Sequence, residues 1–163
     1  MDKYDIKRRS ISEAIYLKNN PGGDPFRFSP PRSISAALLY GLGLGLYWGE
    51  GNKANLCSVR LGNTDPGLIL VFMRFLIFFF NIEKRDLRFS LQIFTDIDKI
   101  KALKYWCRKL GVTRSQFRGI TITRSLSIGT YRKKSEYGVV TVYYHNKKLR
   151  DVLCQKLEEV RPT

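Results

Sequence analysis

Carboxylates are scarce in this sequence, and one long segment has none. Lys and Arg number 29 against 14 Asp and Glu, which gives a formal net charge of +15. Between Lys99 and Ser135 there are 11 basic residues and no acid. Positive charges on one surface repel each other, so such a surface is expected only where it attracts or binds an anion. The composition predicts a polyanionic partner, and it favours nucleic acid over an anionic membrane.

Cysteine and histidine are also too few to build a covalent framework or a metal centre. Cys57, Cys107 and Cys154 are odd in number, far apart and without a CxxC pair, which argues against both a disulfide scaffold and a zinc site. We expect buried thiols in a reducing cytosol. The single histidine, His145, has no Cys or Asp at ligand spacing. A hydrogen-bonded or DNA-facing role is therefore expected for it rather than metal binding.

Long hydrophobic runs are absent as well. The most apolar stretch, "GLILVFMRFLIFFF", is short for a membrane span and contains Arg74, so it predicts a buried core helix. We expect no signal segment before it. We expect a cytoplasmic protein, associated with the nucleoid of a prokaryote or with an organelle, that makes no contact with a membrane.

The remaining patterns predict an N-terminal arm, 1–33, followed by one domain, 34–163. In the arm a short helix, "SISEAIYLKN", precedes a segment rich in Pro and Gly. The domain alternates helix and strand, and ends with two strands joined by the basic loop "GTYRKKSE" and a last helix. The predicted fold class is α+β, with a mixed antiparallel sheet that carries helices on one face and a polar, basic face for DNA.

Residues that alternate away from the predicted core are almost all hydrogen-bonding types. A sheet face left in water is polar in any protein, but Arg, Gln and Tyr with basic flanks also suit a ribbon that reads base edges in a groove. The candidate DNA-binding residues are Arg60, Arg88, Gln92, Arg124, Arg132, Lys133, Lys134, Tyr143 and His145.

The stretch "LLYGLGLGLYWGEGNK", 38–53, contains regularly spaced glycines. A dinucleotide-binding GxGxxG loop does not fit, because Leu46 or Trp48 replaces the third glycine and no strand precedes the stretch. A strand is possible, but it would have no side chains on one face. A helix explains the spacing better and is predicted from Ser33 or Ser35 to about Glu50.

In such a helix, Ala37, Gly41, Gly45 and Gly49 form one stripe, because they are four residues apart. Each glycine costs about 1 kcal/mol of helix stability relative to alanine. Close approach of a second helix would offset that cost through dispersion contacts. The partner could be another helix of this chain, but no second glycine-striped helix is present in the sequence. The simplest partner is therefore the same helix in a two-fold homodimer.

Glu50 stands at the end of this helix, one residue before the glycine that should terminate it. A two-fold axis along the stripe would bring it close to its mate in the second subunit. Two carboxylates at helix C-termini repel each other unless a divalent cation lies between them. The sequence thus predicts a metal site assembled by dimerisation.

The stretch "GLYWGEG", 45–51, resembles the LAGLIDADG motif of homing endonucleases. Glu50 stands at the acidic position, Gly45 and Gly49 at the small helix-packing positions, and Gly51 at the terminal glycine. The stretches "LGNTDPGLI", "LRFSLQIF", "WCRKLGVTRSQF" and "GTYRKKSEYGVVTVYYHNKKLRDVL" are similar to the compact single-motif bacterial branch, so the resemblance covers about 37–160.

The resemblance implies a homodimer that cuts both strands of a long, roughly palindromic DNA duplex with Mg²⁺ or another divalent cation. Glu50 and Gly49 would form the metal site. Lys53 would add positive charge near the phosphate, or is simply a solvated lysine, and Gln92 would order the attacking water or read an adenine edge. No nucleotide cofactor is expected. The alternatives are a regulatory or architectural DNA-binding protein that does not cut, and an RNA-binding or ribosome-associated protein.

Overall fold

The computed structural model describes residues 9–124 and 135–161. Its helices are α1 (Ile11–Asn19), α2 (Ile34–Glu50), α3 (Pro66–Phe80), α4 (Lys99–Leu110) and α5 (Lys147–Glu159), and its strands are β1 (Val59–Asn63), β2 (Arg88–Phe94), β3 (Phe117–Thr123) and β4 (Val139–Tyr144). Single 3-10 turns span Lys84–Asp86 and Arg114–Gln116. The predicted order of helices and strands is confirmed.

The four strands form one open, mixed sheet in the order β1-β4-β2-β3. β4 is antiparallel to both β1 and β2, whereas β2 and β3 are parallel. β3 and β4 follow each other in the chain but are not neighbours, because β2 lies between them. The chain leaving α2 adds to the free side of β1, where Gly51 pairs with Leu61 and the Asn52 amide donates to the Arg60 carbonyl at 2.9 Å. The helix α2 therefore ends at the β1 edge, and β3 is the opposite edge.

The core lies between one face of the sheet and the helices. Alternate strand residues such as Leu61, Phe89, Leu91 and Val142 are buried against them. The helix α3 is central and contacts α2, α4 and β1. This confirms the predicted core helix, although Phe78 remains 61% exposed on its outer side.

Local sequence explains where the helices begin and end. Ser33 starts α2 by accepting a hydrogen bond from the Ala36 amide at 3.1 Å. Asp65 starts α3 in the same way at the Gly67 amide, 2.7 Å away. Asp98 is the cap of α4, and Gly111 ends that helix with a left-handed φ of 61°.

The N-terminal arm has a helix, α1, and an irregular stretch that is bonded to the end of α3. The Arg27 and Ser29 amides donate to the carbonyls of Phe80 and Phe79 at 3.0 and 2.8 Å. Tyr16 connects α1 to the rest of the chain, because its hydroxyl donates to Asp24 at 3.1 Å and contacts the Asn146 amide group at 3.2 Å.

Some side chains lie elsewhere than their pattern predicted. Cys57 is exposed and Cys107 and Cys154 are only half-buried, so the prediction of buried thiols is wrong. Cys57 precedes β1 in an irregular loop and never enters the core face. The helical pattern also predicts Ile100 and Val160 on the core sides of α4 and α5, but they are 66% and 56% exposed. Each lies outside the buried part of its helix, which spans Ala102 to Leu110 in α4 and Leu149 to Leu157 in α5.

Candidate nucleic-acid interface and cation site

The two sides of α2 have different surroundings. On the inner side Gly43 is buried, and a Cβ built there would lie 2.2 Å from Cγ of Phe75 in α3. On the outer side, a Cβ built on Gly41, Gly45 or Gly49 would meet no atom within 4 Å. The predicted stripe is thus left uncovered by the described part of the chain.

The stripe is bordered by large apolar side chains that also face outward. Ile34, Leu38, Leu42 and Trp48 are 91%, 73%, 48% and 41% exposed. By the 3.6-residue repeat of an α-helix, these four lie on the same side as the glycines. A contiguous apolar surface of this kind is typical of an interaction site.

Glu50 ends α2 with an exposed side chain that has no hydrogen bond or ion pair within residues 9–124 and 135–161. It is rotated about half a turn from Gly41, so its carboxylate leaves the helix beyond the stripe, at the β1 edge of the sheet. Gly49 is exposed beside it. The Gly49 carbonyl belongs to the last turn, where helix carbonyls lack intrahelical partners.

Lys53 caps the C-terminal end of the same helix. Its ammonium donates to the carbonyl of Tyr47 at 3.3 Å and to that of Trp48. A cation at the C-terminal end of a helix is stabilised by the helix dipole. The structure therefore gives Lys53 a structural role one turn from Glu50, whether or not it also contacts a phosphate.

Arg150, on α5, binds the loop that contains Lys53. The sequence did not predict this contact. Its guanidinium donates to the Lys53 carbonyl and pairs with Asp151 at 3.0 Å. Its Nε and the hydroxyl of Tyr47 are buried without a hydrogen-bond partner among the described atoms. Nothing in the helical pattern of α5 distinguishes Arg150 from a solvated arginine, so no sequence signal could have identified it.

The outer face of the sheet carries a row of three side chains, in which Arg60 of β1 and Arg88 of β2 pair with Tyr143 of β4 from opposite sides. The Arg60 guanidinium lies over the Tyr143 ring, 4.9 Å from its centroid, and its Nε donates to the Ser58 hydroxyl at 2.7 Å. Arg88 donates to the Leu87 carbonyl at 3.1 Å. Two of the three arginines in the four strands lie in this row, and the strands contain no carboxylate, so this face attracts anions.

His145 extends this row just after β4. Its ring meets that of Tyr143 edge to face, with centroids 4.9 Å apart. Partial burial lowers the pKa of His145, and the charges of Arg60 and Arg88 lower it further. The imidazole is therefore neutral at neutral pH, and the approach of a phosphate would favour its protonated form.

Gln92 lies on the same face but far from Glu50. It is exposed, and its amide donates to the Thr123 hydroxyl at 3.3 Å. β1 and β4 separate Gln92 from the chain segment at Gly51, a distance of roughly 14 Å at about 4.8 Å per strand. One chain therefore does not bring Gln92 to the carboxylate.

The other candidate DNA contacts lie near the end of β3. Arg124 is exposed directly after that strand. Arg132, Lys133 and Lys134 lie outside the described residues.

The donor atoms suit a hard cation, but one chain supplies too few of them. A carboxylate at Glu50 and a carbonyl at Gly49 are the oxygen ligands that Mg²⁺ prefers. The described residues contain no group of three or more His, Cys, Asp or Glu that could hold a metal by themselves. A site at Glu50 would need ligands from a second copy and from a nucleic-acid phosphate.

Two further findings are negative. In the described part of the chain no helix has the length and apolar character to cross a membrane. No protein-family model matches the chain, and no curated protein and no solved structure is significantly similar to it.

Proposed function

We propose that this protein is a DNA endonuclease of the LAGLIDADG type, which acts as a homodimer and hydrolyses phosphodiester bonds in a long duplex site with Mg²⁺. The observation that carries the proposal is the open stripe of α2, which is bordered by exposed apolar side chains and ends at an unpaired carboxylate at the edge of an acid-free sheet face.

Dimerisation explains why α2 keeps its glycines. The stripe costs helix stability and contacts nothing in the described part of its own chain. Two stripes related by a two-fold axis would let the backbones approach and would cover Leu38, Leu42 and Trp48 on both sides. The same axis would bring the C-terminal ends of both α2 helices, each with its Glu50, together between two sheet faces.

In this proposal the sheet faces bind the duplex, and Glu50 determines which phosphodiester bond is hydrolysed. Arg60 and Arg88 contact the DNA backbone or base edges. Tyr143, which is buried between them, positions the Arg60 guanidinium. Glu50 and the Gly49 carbonyl would hold Mg²⁺, which when bound neutralises phosphate charge and makes water a better nucleophile. Lys53 caps the C-terminal end of α2. This cap keeps Glu50 fixed at the edge of the sheet.

The test is cleavage of a randomised duplex library in the presence of Mg²⁺, followed by sequencing of the cut ends. The wild-type protein should cut, whereas Glu50→Gln should bind the selected duplex with unchanged affinity and not cut. Glu13→Gln, which removes an exposed carboxylate from α1, is the matched control and should cut like the wild type. Equal cutting by wild type and Glu50→Gln would overturn the proposal.

The second candidate is a DNA-binding protein that keeps this scaffold without cutting. It is favoured by one observation, that the ammonium of Lys53 already occupies the end of α2 where a catalytic cation would have to approach. Sequence-selective binding by the wild type with no Mg²⁺-dependent cutting would establish it. Preference for RNA in a competition shift assay would instead favour an RNA-binding protein.

A further inference from the structure

We propose that a notch at the outer edge of β3, lined by Lys99, Arg114 and Arg118, binds a backbone phosphate of nucleic acid. None of these residues belongs to the row on the outer sheet face. Phosphate binding by the notch stands on its own geometry, whereas its position on a DNA site rests on the proposed function.

The notch is a cavity of about 250 Å³, and its other lining residues are Phe117, Gly119 and Ile120. Lys99 begins α4, Arg114 lies in the 3-10 turn after it, and Arg118 is in β3. All three cations are exposed, and none has a carboxylate partner within the described ranges. Three positive charges around one cavity, without a carboxylate partner among the described residues, favour an anion with several oxygens, such as a phosphate.

The backbone of β3 is irregular where Arg118 stands. Phe117 pairs with Phe89 and Gly119 pairs with Ser90, so Arg118 is an extra residue in a β-bulge. Bulges at sheet edges redirect a side chain. A Cβ at Gly119 would meet no atom within 4 Å, so the space beside Arg118 is open. The bulge thus lies beside the notch, which Arg118 lines together with Lys99 and Arg114.

A neighbouring cavity has cations too, but one of them is already paired. It is lined by Lys101, Lys104, Arg108 and the stacked rings of Tyr105 and Tyr137. The Lys101 ammonium pairs with Glu136 at 3.2 Å, and this carboxylate weakens the local attraction for an anion. The difference favours the notch as the phosphate site and makes Lys104 and Arg108 a suitable control pair.

The notch lies at the sheet edge opposite α2. Four strand spacings separate β3 from the chain segment at Gly51, which is roughly 19 Å. At 3.4 Å per base pair this corresponds to about five or six base pairs. In a dimer joined through α2, the two notches would contact the outer ends of the site, about that far from the cuts.

The test compares the double variant Arg114→Gln/Arg118→Gln with the control Lys104→Gln/Arg108→Gln. We expect the double variant to show a shallower salt dependence, so that its loss of duplex affinity between 50 and 200 mM salt is smaller by about three- to fourfold per lost phosphate contact. Hydroxyl-radical protection should disappear only at the outer ends of the site. The control should keep the wild-type slope and footprint.

Titration with inorganic phosphate, followed by NMR of the arginine Nε–H groups, tests the notch without DNA. Saturable shifts at Arg114 and Arg118 support it, and their absence overturns it. If the wild type fails to bind duplex DNA while these shifts occur, the proposed function fails and the notch stands. If the double variant binds and cuts DNA with an unchanged slope and footprint, the notch fails and the proposed function stands.

Discussion

The inner and outer faces of α2 use the same residue type for opposite reasons. Gly43 is glycine because Phe75 occupies the space where its side chain would be. Gly41, Gly45 and Gly49 have open space instead, so the described part of the chain gives them no packing reason. The fold explains the first glycine, and we propose that contact with a second α2 explains the other three.

The two faces of the sheet repeat this contrast. The core face is made of apolar residues covered by helices, whereas the outer face carries Arg60, Arg88, Tyr143 and neutral polar groups without a carboxylate. Covered features account for the fold, and uncovered features locate the candidate interface. Substitutions of covered and of uncovered residues should therefore have different effects.

The largest effect is expected at the inner glycine. Gly43→Ala would place a methyl carbon 2.2 Å from Cγ of Phe75. Because this is far inside contact distance, we expect overpacking to lower the free energy of unfolding by roughly 1–3 kcal/mol. Urea unfolding measured by circular dichroism checks this. An increase in stability, as helix propensity alone would give, would show that α2 and α3 are not packed as described.

A smaller loss is expected at the end of α2. Lys53→Met removes the ammonium that caps the helix carbonyls and should lower the free energy of unfolding by about 1 kcal/mol. Lys104→Met, on the exposed side of α4, is the matched control and should have little effect. Unchanged stability with lost cutting would assign Lys53 to the phosphate and not to the helix end.

The smallest effect concerns His145 on the outer sheet face. Because burial, Arg60 and Arg88 lower its folded-state pKa, the unfolded chain takes up a proton first as the pH falls. Its contribution to stability should therefore be complete above the unfolded-state pKa and decline as the pH falls towards the folded-state pKa. An NMR titration should show this lowered pKa.

Substitution of Arg60 isolates one of the causes of the lowered pKa of His145. Arg60→Gln should raise the pKa of His145, while Arg74→Gln, on the exposed side of α3, should leave it unchanged. An unchanged pKa in Arg60→Gln would mean that the row across β1, β4 and β2 is not assembled as described.

Local chemistry made the helices predictable. Asp65 and Pro66 determine where α3 begins, and Gly111 has the left-handed conformation that ends α4. The open stripe also followed from the sequence, because no second helix had a matching stripe. These features depend on residues close together in the chain.

Strand order and some side-chain roles could not be predicted, because they depend on contacts between distant segments. The position of β2 between β3 and β4 is not encoded in the alternation of either strand. The bulge at Arg118 and the bond from Arg150 to the Lys53 carbonyl appear only once the elements are packed. Such residues have the composition of an ordinary solvated surface.

The most direct test of the account is sedimentation equilibrium of the wild type and of Gly45→Leu at micromolar concentration. The wild type should be a dimer. Gly45→Leu should be a folded monomer, because a Cβ at this position meets no atom within 4 Å among the described residues, whereas the new side chain would block the approach of a second α2. A wild type that remains monomeric, or a Gly45→Leu variant that dimerises as well as the wild type, would contradict it.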